Sequence, residues 1–324
     1  MIYSKREYFV HQNHSPLHYN PSLIQFNNRT FLISRCQDDI LGNSWLTVNE
    51  LDGDYKVSWY KRLEIHSDTA EDPRATIYGD KIYVFWNNGC PYYPIIGKND
   101  FTINVSIYDF DWKLIESHPL TYKDRQPVEK NWTMFNAEGC WYCIYSFNPW
   151  IVLKFDENWN ATKVWEEDFK LPWLWGQIRG GALPITILPQ TGKFIRTRLV
   201  TKQFVFFHSS FDPMKELGMK RQYIGGLISF DEQFPFKPTG ISRHPVIIPD
   251  LEARTEVQAN VSYPAGAIYR DGKWIVSIGS GDCECKIMEF NHNELINSLN
   301  FYELPIKEIV QEITNIEIEP LEKE

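Results

Sequence analysis

The chain lacks most of the short signatures that announce a reaction. It has no Gly-x-Gly-x-x-Gly, no P-loop and no His-Glu-x-x-His. Ser209 and Ser210 follow His208 outside any Gly-x-Ser-x-Gly elbow, and strand neighbours point to opposite faces, so no nucleophile triad is expected there. Positive charge is scarce: 33 Lys and Arg against 42 Asp and Glu leave a formal charge of −9. With no basic run, nucleic acid is excluded as a partner. No apolar stretch is long enough to span a membrane, and Met1 to Glu7 hold no apolar signal core. A cytoplasmic protein with no membrane partner is expected. No linker rich in Gly, Ser or Pro interrupts the 324 residues. One domain is expected over 1–303, followed by an acidic helix or tail at 304–324, where Ile306, Ile309, Val310 and Ile313 have helical spacing.

Cysteine is sparse too. Cys140 and Cys143 look like half a zinc site, but in a strand residues three apart face opposite ways. Cys283 and Cys285 share a face without a matching histidine or second pair. No metal and no resident cofactor are expected, and buried free thiols in a reducing compartment fit the pattern.

Aromatics, at 15%, are plentiful, and they fall in a pattern that recurs five times. Glu71-Asp72-Pro73-Arg74 leads into Ala75–Tyr78, a Gly79-Asp80 turn and the aromatic run Lys81–Trp86. Asn20-Pro21 leads into a first run and then Arg29–Ser34; Lys130-Asn131-Trp132 leads to Cys140–Tyr145. Arg179-Gly180-Gly181 leads to Gln203–His208, and Tyr263-Pro264 to Lys273–Ile278. Further strands follow at Thr102–Tyr108, Ile151–Phe155, Ile224–Phe230 and Lys286–Phe290, mostly closed by Asp, Glu or Asn turns. One or two helical turns are expected at Glu294–Leu299. Repeats about 50 to 80 residues apart, each of four strands, predict an all-β, five-bladed β-propeller with four-stranded antiparallel blades and a short C-terminal helix or tail. The residues just before each first strand should crowd at one mouth of the axis.

That mouth would hold Asn20, Asp72, Arg74, Lys130, Asn131, Arg179, His208 and Asp282, with Tyr223, Trp132, Trp173 and Trp175 as stacking faces for a sugar. Asp72 beside Glu71 and a cation fits a carboxyl with a shifted proton affinity, able to protonate a glycosidic oxygen. It equally fits a turn residue paired with Arg74. Lys130, Arg179 and His208 fit a cationic pocket for a phosphate, a sugar diphosphate or a carboxylate; Lys130 also fits a pair with Glu129. Asp282 fits either a ligand for sugar hydroxyls or a blade-closing turn. Gly180-Gly181 fits close backbone approach to a ligand or a turn between blades.

Glu71-Asp72-Pro73-Arg74 with its Gly-Asp-Lys-Ile-Tyr-Val strand resembles the hallmark of glycoside hydrolase family 130, the β-mannoside phosphorylases and hydrolases. Lys130-Asn131, Arg179 with Leu183-Pro184, His208, and Asn260–Pro264 with Gly281-Asp282 are similar to its later motifs in the same order. The resemblance covers roughly residues 18 to 290. It implies a five-bladed propeller and an inverting reaction on a β-mannosidic or related bond. Asp72 is then the general acid, acting through a substrate hydroxyl, with Lys130, Asn131, Arg179 and His208 at the anion. Asn20, Arg74, Trp132, Tyr223 and Asp282 would contact the sugar. A further arginine of the pattern is replaced by Tyr145-Ser146-Phe147-Asn148. Inorganic phosphate or a sugar nucleotide would be the co-substrate. Phosphorolysis, hydrolysis with Glu252 or Glu256 as base, mannosyl transfer from a nucleotide sugar and sugar binding without turnover all stay open, as does homo-oligomerisation.

Overall fold

The computed structural model describes residues 5–11, 17–38, 43–67, 69–89, 101–187, 202–211, 222–249 and 260–301. They form five sheets, antiparallel apart from one short parallel pair. Strand β1 (Lys5–Val10) belongs to the fifth of these. The first blade is β2 (Leu17–Phe26), β3 (Arg29–Gln37), β4 (Ser44–Leu51) and β5 (Val57–Arg62). The second is β6 (Ala70–Tyr78), β7 (Lys81–Asn88), β8 (Thr102–Tyr108) and β9 (Leu114–Pro119). In the third, β10 (Thr121–Tyr122) lies parallel to the outer strand of β11 (Thr133–Ala137), β12 (Cys140–Phe147), β13 (Trp150–Phe155) and β14 (Asn160–Glu167). In the fourth, β15 (Gln177–Arg179) and β16 (Ile185–Ile187) pair with β17 (Lys202–Phe211), followed by β18 (Gln222–Asp231) and β19 (Pro238–Ser242). The fifth is β20 (Ser262–Arg270), β21 (Lys273–Ser280), β22 (Glu284–Asn291) and β1, so residues early and late in the chain close the ring in one sheet. Helix α1 (His292–Asn297) follows, capped by the Asn291 side chain accepting from the Glu294 amide. Then β23 (Leu299–Phe301) pairs with β19.

The aromatic runs of the sequence are the second strands of the blades. Each is sandwiched between two neighbouring sheets and buried on both faces, so it reads as continuous apolar sequence rather than alternation. Five apolar clusters mark the five blade interfaces. Phe31 and Val48 meet Val84 and Trp86; Phe85 and Val105 meet Cys143 and Leu153; Trp150 and Val152 meet Val205 and Phe207. Phe206 meets Trp274 and Val276, and Ile275 and Ile287 meet Leu23 and Leu32. Cys140 and Cys143 pack into different clusters, on opposite faces of the third blade as the strand period requires.

One expectation needs correction. Asn20-Pro21 and Asp72-Pro73 do not precede the first strands; they lie inside β2 and β6. The ladder breaks between Tyr19 and Ser22 and between Glu71 and Arg74. Each Asn or Asp takes a left-handed backbone (φ 50° and 48°), which these two residue types tolerate, and the following proline has no amide to pair. The strands therefore bulge towards the axis and then continue. The 304–324 segment and Glu252 and Glu256 lie outside the described residues. Among the described residues no helix is long and apolar enough to cross a membrane.

Candidate active site

The bulges open a polar cavity of about 340 Å³ on the axis. The first blade contributes Leu17, Tyr19, Asn20, Arg35 and Gln37, and the second Asp72. Lys130 and Asn131 come from the turn before β11, Arg179, His208 and Tyr223 from the fourth blade, and Val261, Tyr263 and Asp282 from the fifth. Further along the same inner strands lies a second, smaller cavity lined by residues such as Leu23, Ile77, Leu183 and Ile268.

Asp72 is buried, and both its oxygens meet donors. Asn20 Nδ2 donates to Oδ1 at 2.7 Å, Arg35 Nη1 lies 3.7 Å from Oδ1, and Asn87 Nδ2 donates to Oδ2 at 3.4 Å. Burial by itself raises the pKa of this carboxyl. Lys130, Arg35 and the Asn20 hydrogen bond outweigh it and hold the group below the usual range. Glu71 beside it takes Arg35 Nη2 at 2.9 Å and Lys130 Nζ at 3.0 Å. Burial works against the Lys130 charge, but Glu71 and Asp72 prevail and its pKa lies above the ordinary value. Asp282 behaves oppositely: burial, then the Asp72 charge, push it up to about 6.

Arg74 does not pair with Asp72. Its guanidinium is fully buried behind the cavity wall, giving Nε to the Gly181 carbonyl at 2.7 Å and Nη2 to Asn131 Oδ1 at 2.7 Å and to the Tyr263 hydroxyl. One cation thereby ties four blades together and orients Asn131. Asn131 also has a left-handed backbone (φ 65°). Lys130 pairs with Glu71 and not with Glu129. Glu129 instead accepts from Trp132 Nε1 at 2.7 Å, Tyr145 Oη at 2.8 Å and the Gln126 amide at 2.6 Å, and so fixes the turn that presents Lys130 and Asn131.

On the other side, Arg179 gives Nη2 only to Gln177 Oε1, at 3.2 Å, among the described residues. His208 is its cross-strand neighbour. Burial, then Arg74 and Arg179, push the His208 pKa down to about 3, so the ring is neutral. It therefore lacks the positive charge expected of it. Its Nδ1 is buried with no partner, and the ring lies edge-on to Tyr263, centroids 4.8 Å apart. Gly180 and Gly181 serve blade contact and not a ligand: a Cβ on Gly180 would lie 2.0 Å from the Asn131 carbonyl oxygen, and one on Gly181 2.3 Å from that of Phe206.

The structure thus gathers Asn20, Asp72, Lys130, Asn131, Arg179, His208, Tyr223 and Asp282 in one cavity, with Arg74 just behind it. Trp132 is not among them. It is 2% exposed, in the core between the second and third blades, because its indole N–H serves Glu129. Trp173 is buried against Phe207, and Trp175 packs on Phe211; neither lines the cavity. Tyr19, Arg35 and Gln37 are additions that the sequence reading missed, while Tyr263, expected at the mouth only as part of a blade-start motif, also lines the cavity. Arg35 was findable by register. Tyr19 faces Arg35, Glu71 faces Asn87 and Arg179 faces His208, all at one rung of the repeat. The position that yielded His208 yields Arg35 and Asn87 in the earlier blades.

Among the described residues no cluster of three His, Cys, Asp or Glu is placed to hold a metal. No protein-family model and no curated protein matches the chain. Solved structures do. A β-1,2-mannobiose phosphorylase from Listeria innocua, in complex with β-1,2-mannobiose, superposes with a TM-score of 0.62 at 12% identity, over 89% of this chain and 94% of that one. A mannose phosphorylase from Leishmania mexicana, in complex with phosphate ion, gives 0.59 at 13% identity over 94% of both chains. A third structure gives 0.62 at 12% identity over 86% of this chain and 85% of that one. It comes from work showing that the GH130 family of mannoside phosphorylases contains glycoside hydrolases that target β-1,2 mannosidic linkages in Candida mannan. At these identities the likeness is one of fold: this chain is a five-bladed β-propeller of the same architecture.

Proposed function

We propose that the chain is a carbohydrate-active enzyme of the family 130 kind, cleaving a β-mannosidic or closely related bond with inversion, by phosphorolysis or hydrolysis. One observation carries the reading: one axial cavity is lined by the carboxyls of Asp72 and Asp282 together with Arg179 and His208, whose Nδ1 has no partner. A sugar ring is polar at its edges and takes up paired acceptors and donors such as Asp282, Asn20, Gln37 and Arg35. An acceptor anion or water then occupies the Lys130, Asn131, Arg179 and His208 side.

In this reading Asp72 is the general acid. The glycosidic C1–O bond breaks, the leaving oxygen takes a proton from Asp72 through a sugar hydroxyl, and the acceptor oxygen bonds C1 from the opposite face. The cations and donors around Asp72 hold it ionised, so as general acid it must first receive a proton from a neighbouring group. An anion beside Lys130 and Arg35 offsets their pull on Asp72 and raises its pKa. In the Tyr145–Asn148 stretch, where the resemblance expects an arginine, no side chain is positively charged, and Tyr145 gives its hydroxyl to Glu129. Lys130 is engaged by Glu71, which leaves Arg179 as the cation of that side without an ion-pair partner among the described residues. Transfer from a nucleotide sugar is the second reading, because the same side would face a diphosphate.

Incubation with β-linked manno-oligosaccharides, with and without inorganic phosphate, tests this. Sugar 1-phosphate formed only with phosphate identifies phosphorolysis; free mannose under both conditions identifies hydrolysis. Binding without product under either condition, and with nucleotide sugars inert, would leave a carbohydrate-binding propeller and end the enzymatic reading.

A further inference from the structure

We infer that Asp282 and Asp72 act as a pair sharing one proton, with Asp282 carrying it at rest and passing it on when the bond is broken. This rests on the reading of the cavity as a site of proton transfer. Both carboxyls line the same axial cavity, from the fifth and second blades, and both residues have left-handed backbones (φ 53° and 48°). Their surroundings differ. Asp72 meets Asn20 Nδ2, Asn87 Nδ2 and Arg35, an arrangement of donors that suits a carboxylate. Asp282 has no hydrogen bond or ion pair to its carboxyl among the described residues. The charged and titratable groups facing it are Tyr19 on β2, Arg35 on β3, Glu71 and Asp72 on β6, and Lys130 before β11. The two cations are drawn to Glu71, at 2.9 and 3.0 Å. Two carboxyls in one cavity repel each other when both are ionised, and the one without donors keeps the proton. The opposite directions of the two pKa shifts agree with this.

The donors of Asp72 can also reverse. Asn20 Oδ1 and Asn87 Oδ1 are buried without a partner. Rotation of either amide by a half-turn presents an acceptor to a protonated Asp72. The pair is therefore built for both states. During cleavage the Asp282 proton reaches Asp72 through bound hydroxyls, the leaving oxygen takes it, and both carboxyls are left ionised. The attacking water or hydrogen phosphate sheds one proton as its oxygen bonds C1, and that proton restores the pair.

The test is a titration of the ligand-free protein carrying carboxyl-¹³C aspartate, followed by NMR from pH 3.5 to 8. In the wild type one buried carboxyl should titrate near pH 6; Asp282→Asn should abolish that transition, and Asp72→Asn should move it down by half a unit or more. A transition near pH 6 that survives Asp282→Asn, or is unmoved by Asp72→Asn, overturns the pair. Should Asp282→Asn fail to fold, the Asp72→Asn shift alone decides. Turnover is read separately: a wild type inert towards every glycoside defeats the enzymatic reading without touching the titration, and a missing transition defeats the pair while leaving turnover intact.

Discussion

Two buried groups of the cavity should pull stability in opposite directions with pH, and single substitutions should expose each. His208 is 3% exposed, with a pKa pushed down to about 3 from an ordinary 6.5. The unfolded chain binds its proton below about pH 6.5 and the folded chain does not, so its contribution is complete above that pH and is lost as pH falls towards 3. At about 1.4 kcal/mol per pH unit per proton, the loss between pH 6.5 and 4 comes to about 3 kcal/mol. Asp282 runs the other way, from an ordinary 3.8 up to about 6. Its contribution is present below 3.8 and disappears as pH rises through 6. Its carboxyl is partly open to cavity water although protein encloses it elsewhere, so we set this share lower, at about 2 kcal/mol. Over pH 4 to 6 the two nearly cancel in the wild type. His208→Gln should therefore gain about 3 kcal/mol on the wild type as pH drops from 6.5 to 4, and Asp282→Asn about 2 kcal/mol as pH climbs from 4 to 6. Urea unfolding followed by tryptophan fluorescence at pH 4, 5, 6 and 7 measures both. A His208→Gln difference that stays flat, or slopes the other way, would refute the buried neutral imidazole.

Arg74→Met should lower unfolding free energy by about 2–4 kcal/mol, because the Gly181 carbonyl loses its buried donor and Asn131 keeps only the Tyr263 hydroxyl at 3.3 Å. Chemical denaturation checks it, and a change below about 0.5 kcal/mol would show that the pin between blades is not structural. Gly180→Ala forces its Cβ against the Asn131 carbonyl oxygen at 2.0 Å and Thr133 Oγ1 at 2.5 Å. A loss of about 1–3 kcal/mol, with weaker anion binding by calorimetry, is expected as the Asn131 turn is displaced. Lys130→Met removes the strongest cation acting on Asp72, so the limb of the pH–rate profile assigned to that carboxyl should move to higher pH. An unmoved limb would assign it to another group.

The fold was legible because the five aromatic runs are an unusual signal: strands buried on both faces at regular spacing have few other homes. Each aromatic run starts within one residue of its strand and falls two or three residues short of its end, and the outer strand Thr102–Tyr108 matches without any offset. The bulges were not legible as such. Asn-Pro and Asp-Pro read as strand starters, and only backbone dihedrals reveal that the strand runs through them. Charge partners were harder still. Lys130 chose Glu71, 59 residues away, over its chain neighbour Glu129, because blades 2 and 3 meet at the axis. Trp132 looked like a sugar platform, yet its indole N–H serves Glu129, a choice that depends on the course of one turn. Arg35 carries no motif of its own and emerges only when rungs of different blades are aligned.

The role of Asp72 is tested most directly by comparing wild type with Asp72→Asn on the β-mannoside that the wild type turns over best. Calorimetric affinity and turnover should be measured on the same preparation. Affinity within a few-fold of wild type with turnover reduced by a factor of about 1,000 or more is the expected result. An Asp72→Asn protein that cleaves the substrate at close to the wild-type rate would contradict the assignment.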